Sequence, residues 1–129
     1  MKTIINTNNA PAPIGPYSQA VATGNLIFVS GQIPMDAATG EIISSDVKAE
    51  TKKVMENIEA ILTEAGSGFD QIIKSSIFLT DMQSFAQVNE VYGSYFTANF
   101  PARETVQVSA LPKGVNVEIS VIALKSWFV

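Results

Sequence analysis

The chain has 129 residues, 47% of them hydrophobic and only 16% charged, with eight Lys plus Arg against twelve Asp plus Glu. One compact domain spanning 1–129 is expected, long enough to bury roughly two-thirds of its unfolded surface without a metal or disulfide. The net charge of −4 has the wrong sign for gripping phosphate backbones, and with no Cys and no His, thiolate or imidazole metal sites, cysteine nucleophiles and His-based triads are excluded.

The chemistry left to the chain uses carboxylates, Lys, Arg, Tyr, hydroxyls, backbone groups or water, so neither a metal nor a cofactor is expected, and nucleic acid is a poor partner. The opening MKTIINTNNAPAPIG has no apolar stretch resembling a signal peptide, and no run of ~18 apolar residues could span a membrane. A cytoplasmic protein is the simplest reading. Charged residues fall well short of the usual ~25%, which points to a surface covered by another protein surface.

In chain order, residues 18–34 read as a hairpin: Ala20 to Ala22 and Leu26 to Val29 are apolar, and Thr23, Gly24 and Asn25 carry turn chemistry. Gly31 and Pro34 are expected to end its second strand. Val47, Thr51, Val54, Ile58, Ile61 and Ala65 follow helical spacing, widened by Met55 and Leu62, with Ser44, Ser45 or Asp46 as the start cap and Gly66 at the end. Residues 72–80 read as a buried strand with Ile73, Ile77 and Leu79 on one face. A second helix carries Phe85, Val88, Tyr92 and Tyr95 along one stripe, with Ser84 and Gln87 as a capping box and Pro101 as its stop. The chain closes on a second hairpin, in which Val106 and Val108 alternate with Thr105 and Gln107, and Val115, Val117, Ile119 and Val121 with Asn116, Glu118 and Ser120, joined through Leu111 to Gly114. The tail Trp127, Phe128, Val129 is unusually apolar, and no role is assigned to it.

The pattern is β-β-α-β-α-β-β, an α+β two-layer sandwich. Right-handed crossovers put both helices on one side of a mixed sheet and leave the other face bare. If the second hairpin pairs as read, Arg103, Thr105, Gln107, Asn116, Glu118 and Ser120 share that bare face with Ile122 and Leu124. A half-apolar, half-polar face on a chain of low charge suits packing between subunits, with clefts between them.

Arg103 is the only arginine against seven lysines, and its planar fork suits bidentate capture of a small carboxylate; an inter-subunit salt bridge or a solvated strand end is the plain alternative. Glu118 lies within an otherwise apolar strand, where a charge is costly unless paired, and strand parity makes Arg103 its nearest candidate partner. Such a pair would keep the carboxylate ionised and able to orient a water; the alternative is a rim carboxylate. Tyr17, after Gly15 and Pro16, stands on a rigid segment where its phenol either donates to a ligand or simply packs. Ser30 and Gly31 offer a hydroxyl and a close backbone approach, or merely end a strand. The chain has no G-x-G-x-x-G and no G-x-x-x-x-G-K, so nucleotide phosphates lack their usual cradle.

Taken in order, Ile14-Gly15-Pro16-Tyr17-Ser18-Gln19, Ser30-Gly31-Gln32-Ile33-Pro34, Pro101-Ala102-Arg103 and Val117-Glu118-Ile119 resemble the motifs of the RidA (YjgF) family of reactive-intermediate deaminases, over nearly the whole chain. The resemblance implies a chorismate-mutase-like fold and a homotrimer with three ligand clefts at the subunit interfaces. It also implies hydrolysis of 2-imino acids, such as 2-iminopropanoate derived from 2-aminoacrylate, to the 2-keto acid and ammonia without a cofactor. By the same resemblance Arg103 holds the substrate carboxylate and Glu118 positions the attacking water. Tyr17, Ser30, Gly31, Asn89 and the backbone at Thr105 line the cleft.

The chain departs from the family pattern at two positions. Thr105 stands where many members carry a cysteine, and Glu104 where a small residue is usual. Strand parity points Glu104 away from Arg103. A noncatalytic module of the same fold that binds keto acids is the alternative from another class. A ribonuclease or translation inhibitor, attached to some relatives, is disfavoured by the acidic balance and the single arginine.

Overall fold

Short runs of apolar and β-branched residues build one six-stranded sheet in the computed structural model, which describes residues 1–125. The strands are β1 (Thr3–Ile5), β2 (Ala20–Thr23), β3 (Leu26–Gln32), β4 (Ile72–Leu79), β5 (Ala102–Gln107) and β6 (Val117–Leu124), in the spatial order β1-β2-β3-β6-β4-β5. All neighbours are antiparallel except β4 and β5, which run parallel. Helices α1 (Val47–Glu64) and α2 (Phe85–Gly93) form the crossovers and share one face of the sheet, so the architecture is the expected α+β mixed sheet with two helices. Among the described residues no helix is long and apolar enough to cross a membrane. The apolar tail at 127–129 lies outside the described residues.

The helix stripe of α1 is the one the spacing predicts: Val54, Met55, Ile58, Ile61 and Leu62 are fully buried against Ile27, Ile77, Leu79 and Ile119 of the sheet. Each such side chain contributes about 1.5–3 kcal/mol by leaving water. Asp46 caps the helix by accepting the Ala49 N–H at 2.8 Å, and Gly66, at φ 79°, takes the left-handed turn after it.

Several local expectations are corrected. The three residues of β1, Thr3, Ile4 and Ile5, were not anticipated, although all three are β-branched. Gly31 does not end β3 but lies within it, at a bulge where Val29 faces Val121 and Gln32 faces Ile119. A second bulge, between Ile72 and Lys74 on β4, turns Ile72 inward and leaves Ile73 42% exposed, so Ile73 does not share the face of Ile77 and Leu79. Ser84 makes no cap hydrogen bond: Asp81 accepts the Gln83 N–H instead, opening a short 3₁₀ turn (Met82–Ser84) ahead of α2. That helix stops at Gly93, well before Pro101. Tyr95 and Phe96 leave it to stack with Phe69 at centroid distances of 5.0 and 6.0 Å.

The largest correction concerns the last two strands. β5 and β6 do not form a hairpin, because β4 lies between them and pairs with both. Arg103 is level with Ser75 and Val121, and Thr105 with Ile77 and Ile119, so both point to the helix side; Glu118 is level with Phe78 and Val106 on the outer side. Arg103, Thr105 and Gln107 therefore leave the face on which they were placed, and Val106, 40% exposed, takes it. The outer face is itself rich in apolar side chains, among them Phe28, Phe78, Val106, Ile122 and Leu124. Polarity along β5 thus could not tell inside from outside.

Candidate functional site

The bulge in β3 creates the first half of the site. Bulged strands re-aim their backbone, and here the displaced Ser30 and Gly31 leave a cavity of about 300 Å³ lined by Ile14, Tyr17, Ser30, Gly31, Ile33, Pro112 and Glu118. The Ser30 hydroxyl donates to the Ser18 carbonyl at 2.6 Å and its N–H to the Gln19 carbonyl at 2.9 Å, tying β3 to the segment that carries Tyr17. Gln19, fully buried, accepts the Thr7 N–H at 2.7 Å and donates from Nε2 to the carbonyls of Thr7, Ala10 and Pro11. The chain leading to Ile14 is thereby held from beneath. Tyr17 is exposed, and its hydroxyl accepts the Ile14 N–H at 3.3 Å.

Glu118 reaches this cavity from the outer face of β6. It passes directly over Gly31, where any side chain would overlap its carboxylate. Burial pushes the Glu118 carboxyl above its ordinary value, and no cation pairs with it among the described residues.

The second half lies on the other side of the sheet. A cleft of about 470 Å³ is lined by Asn89, Tyr92, Gly93, Phe100, Pro101 and Arg103. The Arg103 guanidinium donates to Asn89 Oδ1 and stacks on Phe85 and Tyr92 with Cζ 5.5 and 5.6 Å from the ring centroids. Tyr92 in turn donates to Ser75 Oγ at 2.9 Å, and burial raises its phenol pKa. Arg103 forms no ion pair among the described residues. A guanidinium set against two rings and one amide, with no carboxylate partner among the described residues, is prepared for an anion.

The resemblance puts Tyr17, Ser30, Gly31, Asn89, Arg103, Thr105 and Glu118 around one cleft; within one chain Tyr17, Ser30, Gly31 and Glu118 line one cavity and Asn89 with Arg103 another. Sequence reasoning did not foresee that Arg103 and Glu118 sit on opposite faces, so the expected pairing within one chain is absent. Thr105 lines neither cavity; its hydroxyl is buried and has no hydrogen-bond partner among the described residues. Glu104 faces outward, accepting from Ser76 Oγ and pairing with Lys74 Nζ at 3.3 Å, and does not compete for Arg103. Asn116, expected on the outer face, is instead turned to Glu50 of α1. The stacking role of Phe85 and Tyr92 was missed because their helical spacing reads as core. Ile14 and Ile33 belong to the quoted motifs but were given no place in the cleft, and Pro112 was read only as part of the connection between two strands.

Comparison with known proteins agrees with this fold. The family model described as endoribonuclease L-PSP matches residues 7–125. A RutC family protein of Pyrococcus horikoshii is 54% identical over 125 residues, covering 97% of this chain and 99% of its own. The human 2-iminobutanoate/2-iminopropanoate deaminase is 44% identical over 125 residues, covering 97% of this chain and 91% of that protein. The YjgF gene product of E. coli superposes with a TM-score of 0.91 at 45% identity, covering 96% of this chain and 99% of that one. With two of its motifs gathered around the Glu118 cavity and a third carrying Arg103, the chain belongs to the RidA (YjgF) family, the group that the endoribonuclease L-PSP model describes.

Proposed function

We propose that the protein hydrolyses 2-imino acids such as 2-iminopropanoate to the 2-keto acid and ammonia, in a site completed between copies of the chain. The observation that carries this reading is that a carboxylate and a guanidinium, each lining an open cavity and neither in an ion pair among the described residues, project from opposite faces of one sheet. Two copies meeting in a head-to-tail interface bring one Arg103 half to one Glu118 half, and closure of that interface around a homotrimer makes three sites. The apolar outer face supports the association. The deaminase name of the human relative supports the reaction.

In this site Arg103, steadied by Asn89, holds the substrate carboxylate and so fixes the imine carbon. A water bonded to Glu118 adds to that carbon and passes a proton to the carboxylate, which gives a carbinolamine. Glu118 returns the proton to the amino nitrogen, the C–N bond breaks with its electron pair leaving on ammonia, and the hydroxyl proton is lost as the carbonyl forms. Burial helps by raising the Glu118 pKa toward the working range of a general base. Tyr17 closes the cavity beside the reacting carbon, Ser30 and Gly31 form its floor, and the Thr105 backbone contributes at the seam. A protonated imine is already electrophilic, so orientation and one proton relay suffice.

The test is keto-acid release from an imine generated in place by a serine dehydratase. The purified protein accelerates it, and Arg103→Ala abolishes the acceleration; equal rates with and without the protein remove the enzyme reading. Saturable pyruvate binding without catalysis would favour a noncatalytic carboxylate-binding module instead. The net charge of −4 does not favour RNA as a substrate.

A further inference from the structure

Glu50 is an ionisable side chain that the proposed reaction does not use, and it is among the most deeply buried residues, at 1% exposure. It lies in the first turn of α1 and forms no ion pair among the described residues. Both carboxylate oxygens are spent on a single residue: Oε1 accepts the Asn116 backbone N–H at 2.9 Å, and Oε2 accepts Asn116 Nδ2 at 2.7 Å. Asn116 is also gripped from the end of β4, since its carbonyl accepts the Thr80 N–H at 3.2 Å and its Oδ1 the Thr80 hydroxyl at 3.0 Å. Three elements therefore converge on one residue. A buried carboxylate is costly without partners, and here the positive end of α1 and the two Asn116 donors offset that cost.

The place of this junction matters more than its strength. Asn116 is the last residue before β6, two positions ahead of Glu118. It follows a turn in which Lys113 and Gly114 both adopt left-handed φ, 60° and 69°, and which presents Pro112 to the Glu118 cavity. A turn with a non-glycine residue in that region is held only if its exits are held. Here the exit is Asn116.

We propose that Glu50 is a positioning residue for Glu118: by clamping Asn116 it sets where β6 leaves its turn, and so where the Glu118 carboxylate stands over Gly31 and beside Pro112. The inference rests on the reading of Glu118 as the group that aims water, but it makes a structural claim that can be measured without that reaction.

Replacing Glu50 by Ala frees Asn116. Turnover of the imine falls about 10- to 100-fold, the cost of a misplacement near 1 Å, while KM stays within about threefold because Arg103 is untouched. Carbon-13 NMR of the labelled carboxyl shows Glu118 titrating closer to an ordinary glutamate in this variant. Glu50→Gln restores both readouts, since its Oε1 still accepts the Asn116 N–H and a flipped Asn116 amide accepts from Nε2 while donating to the Thr80 hydroxyl. If Glu50→Ala does not fold, Asn116→Asp replaces it: the position is exposed, and the substitution opposes two carboxylates across the same junction. Wild-type turnover and unchanged Glu118 titration in the clamp-breaking variant overturn the proposal, as does a Glu50→Gln that falls as far as Glu50→Ala. Absence of deaminase activity in the wild type refutes the proposed function alone, and the Glu118 titration then decides this inference.

Discussion

Gly31 and Glu118 occupy adjoining space to the exclusion of any side chain on the former: a Cβ built on Gly31 would lie 2.8 Å from Glu118 Cδ and nearer still to Oε2. The Gly31→Ala variant must push the carboxylate out of the cavity. Imine hydrolysis is expected to fall about 10- to 100-fold with the fold intact, since the displaced group is the end of a flexible side chain rather than backbone. Steady-state kinetics with circular dichroism as the folding control check this, and full activity would show that Glu118 works from another position.

If the two halves of the site meet across copies, two inactive proteins make an active one. Arg103→Ala and Glu118→Ala are each expected to be inactive, yet after dissociation and reassembly as a mixture they recover activity in about a quarter of the sites, because random assembly places an intact Arg103 against an intact Glu118 that often across a head-to-tail seam. Sedimentation should show trimers in all three samples. Failure to complement in mixed trimers shown by mass spectrometry would overturn a site shared between the Arg103 of one copy and the Glu118 of another.

Tyr92 supports Arg103 from below, and the bond from its hydroxyl to Ser75 Oγ is internal to the chain. Tyr92→Phe should cost about 0.5–1.5 kcal/mol near neutral pH, read as the shift of a urea midpoint. Burial raises the Tyr92 pKa above 10.0, so the native state keeps its proton longer than the unfolded chain does. The wild type therefore loses stability as pH climbs from 10 through the raised value, whereas the phenylalanine variant has no such term. The gap between the two should narrow with alkali.

Glu104, a departure from the family pattern directly after Arg103 in the chain, faces away from it. Glu104→Gln is expected to keep kcat/KM within about threefold, because no atom of it lines either cavity. The Ser76 hydrogen bond, with Lys74 second, holds its carboxyl below the ordinary value. Its contribution to stability is thus complete above the ordinary carboxylate pKa and disappears as pH falls through the depressed one. Melting curves should show a small deficit for the variant near neutrality that vanishes in acid. A large loss of activity would mean that the outer face contributes to the site.

Both helices and the longer strands were legible because their signals are local. Val47 through Ala65 repeats at helical spacing whatever surrounds it, and Asp46 and Gly66 mark its ends by their own side-chain and backbone chemistry. The residue types at Tyr17, Ser30, Gly31, Arg103 and Glu118 left a plain structural alternative open at each position, and only the resemblance of the motifs they belong to drew them together as a candidate site. Glu50 was hidden because it sits beside Thr51 within a run that reads as an ordinary helix, and nothing near it in the chain names Asn116 as its partner.

From its sequence alone this protein had its helices, its two-residue strand alternation and its set of reactive groups determined, since each depends on residues a few positions apart. Only the tertiary structure decided that β6 runs between β3 and β4, and with it that Arg103 faces the helices while Glu118 faces away. Strand order is a contest among long-range pairings of similar energy. Because this sheet is apolar on both faces, alternation specified which residues share a side but not which side is the interior.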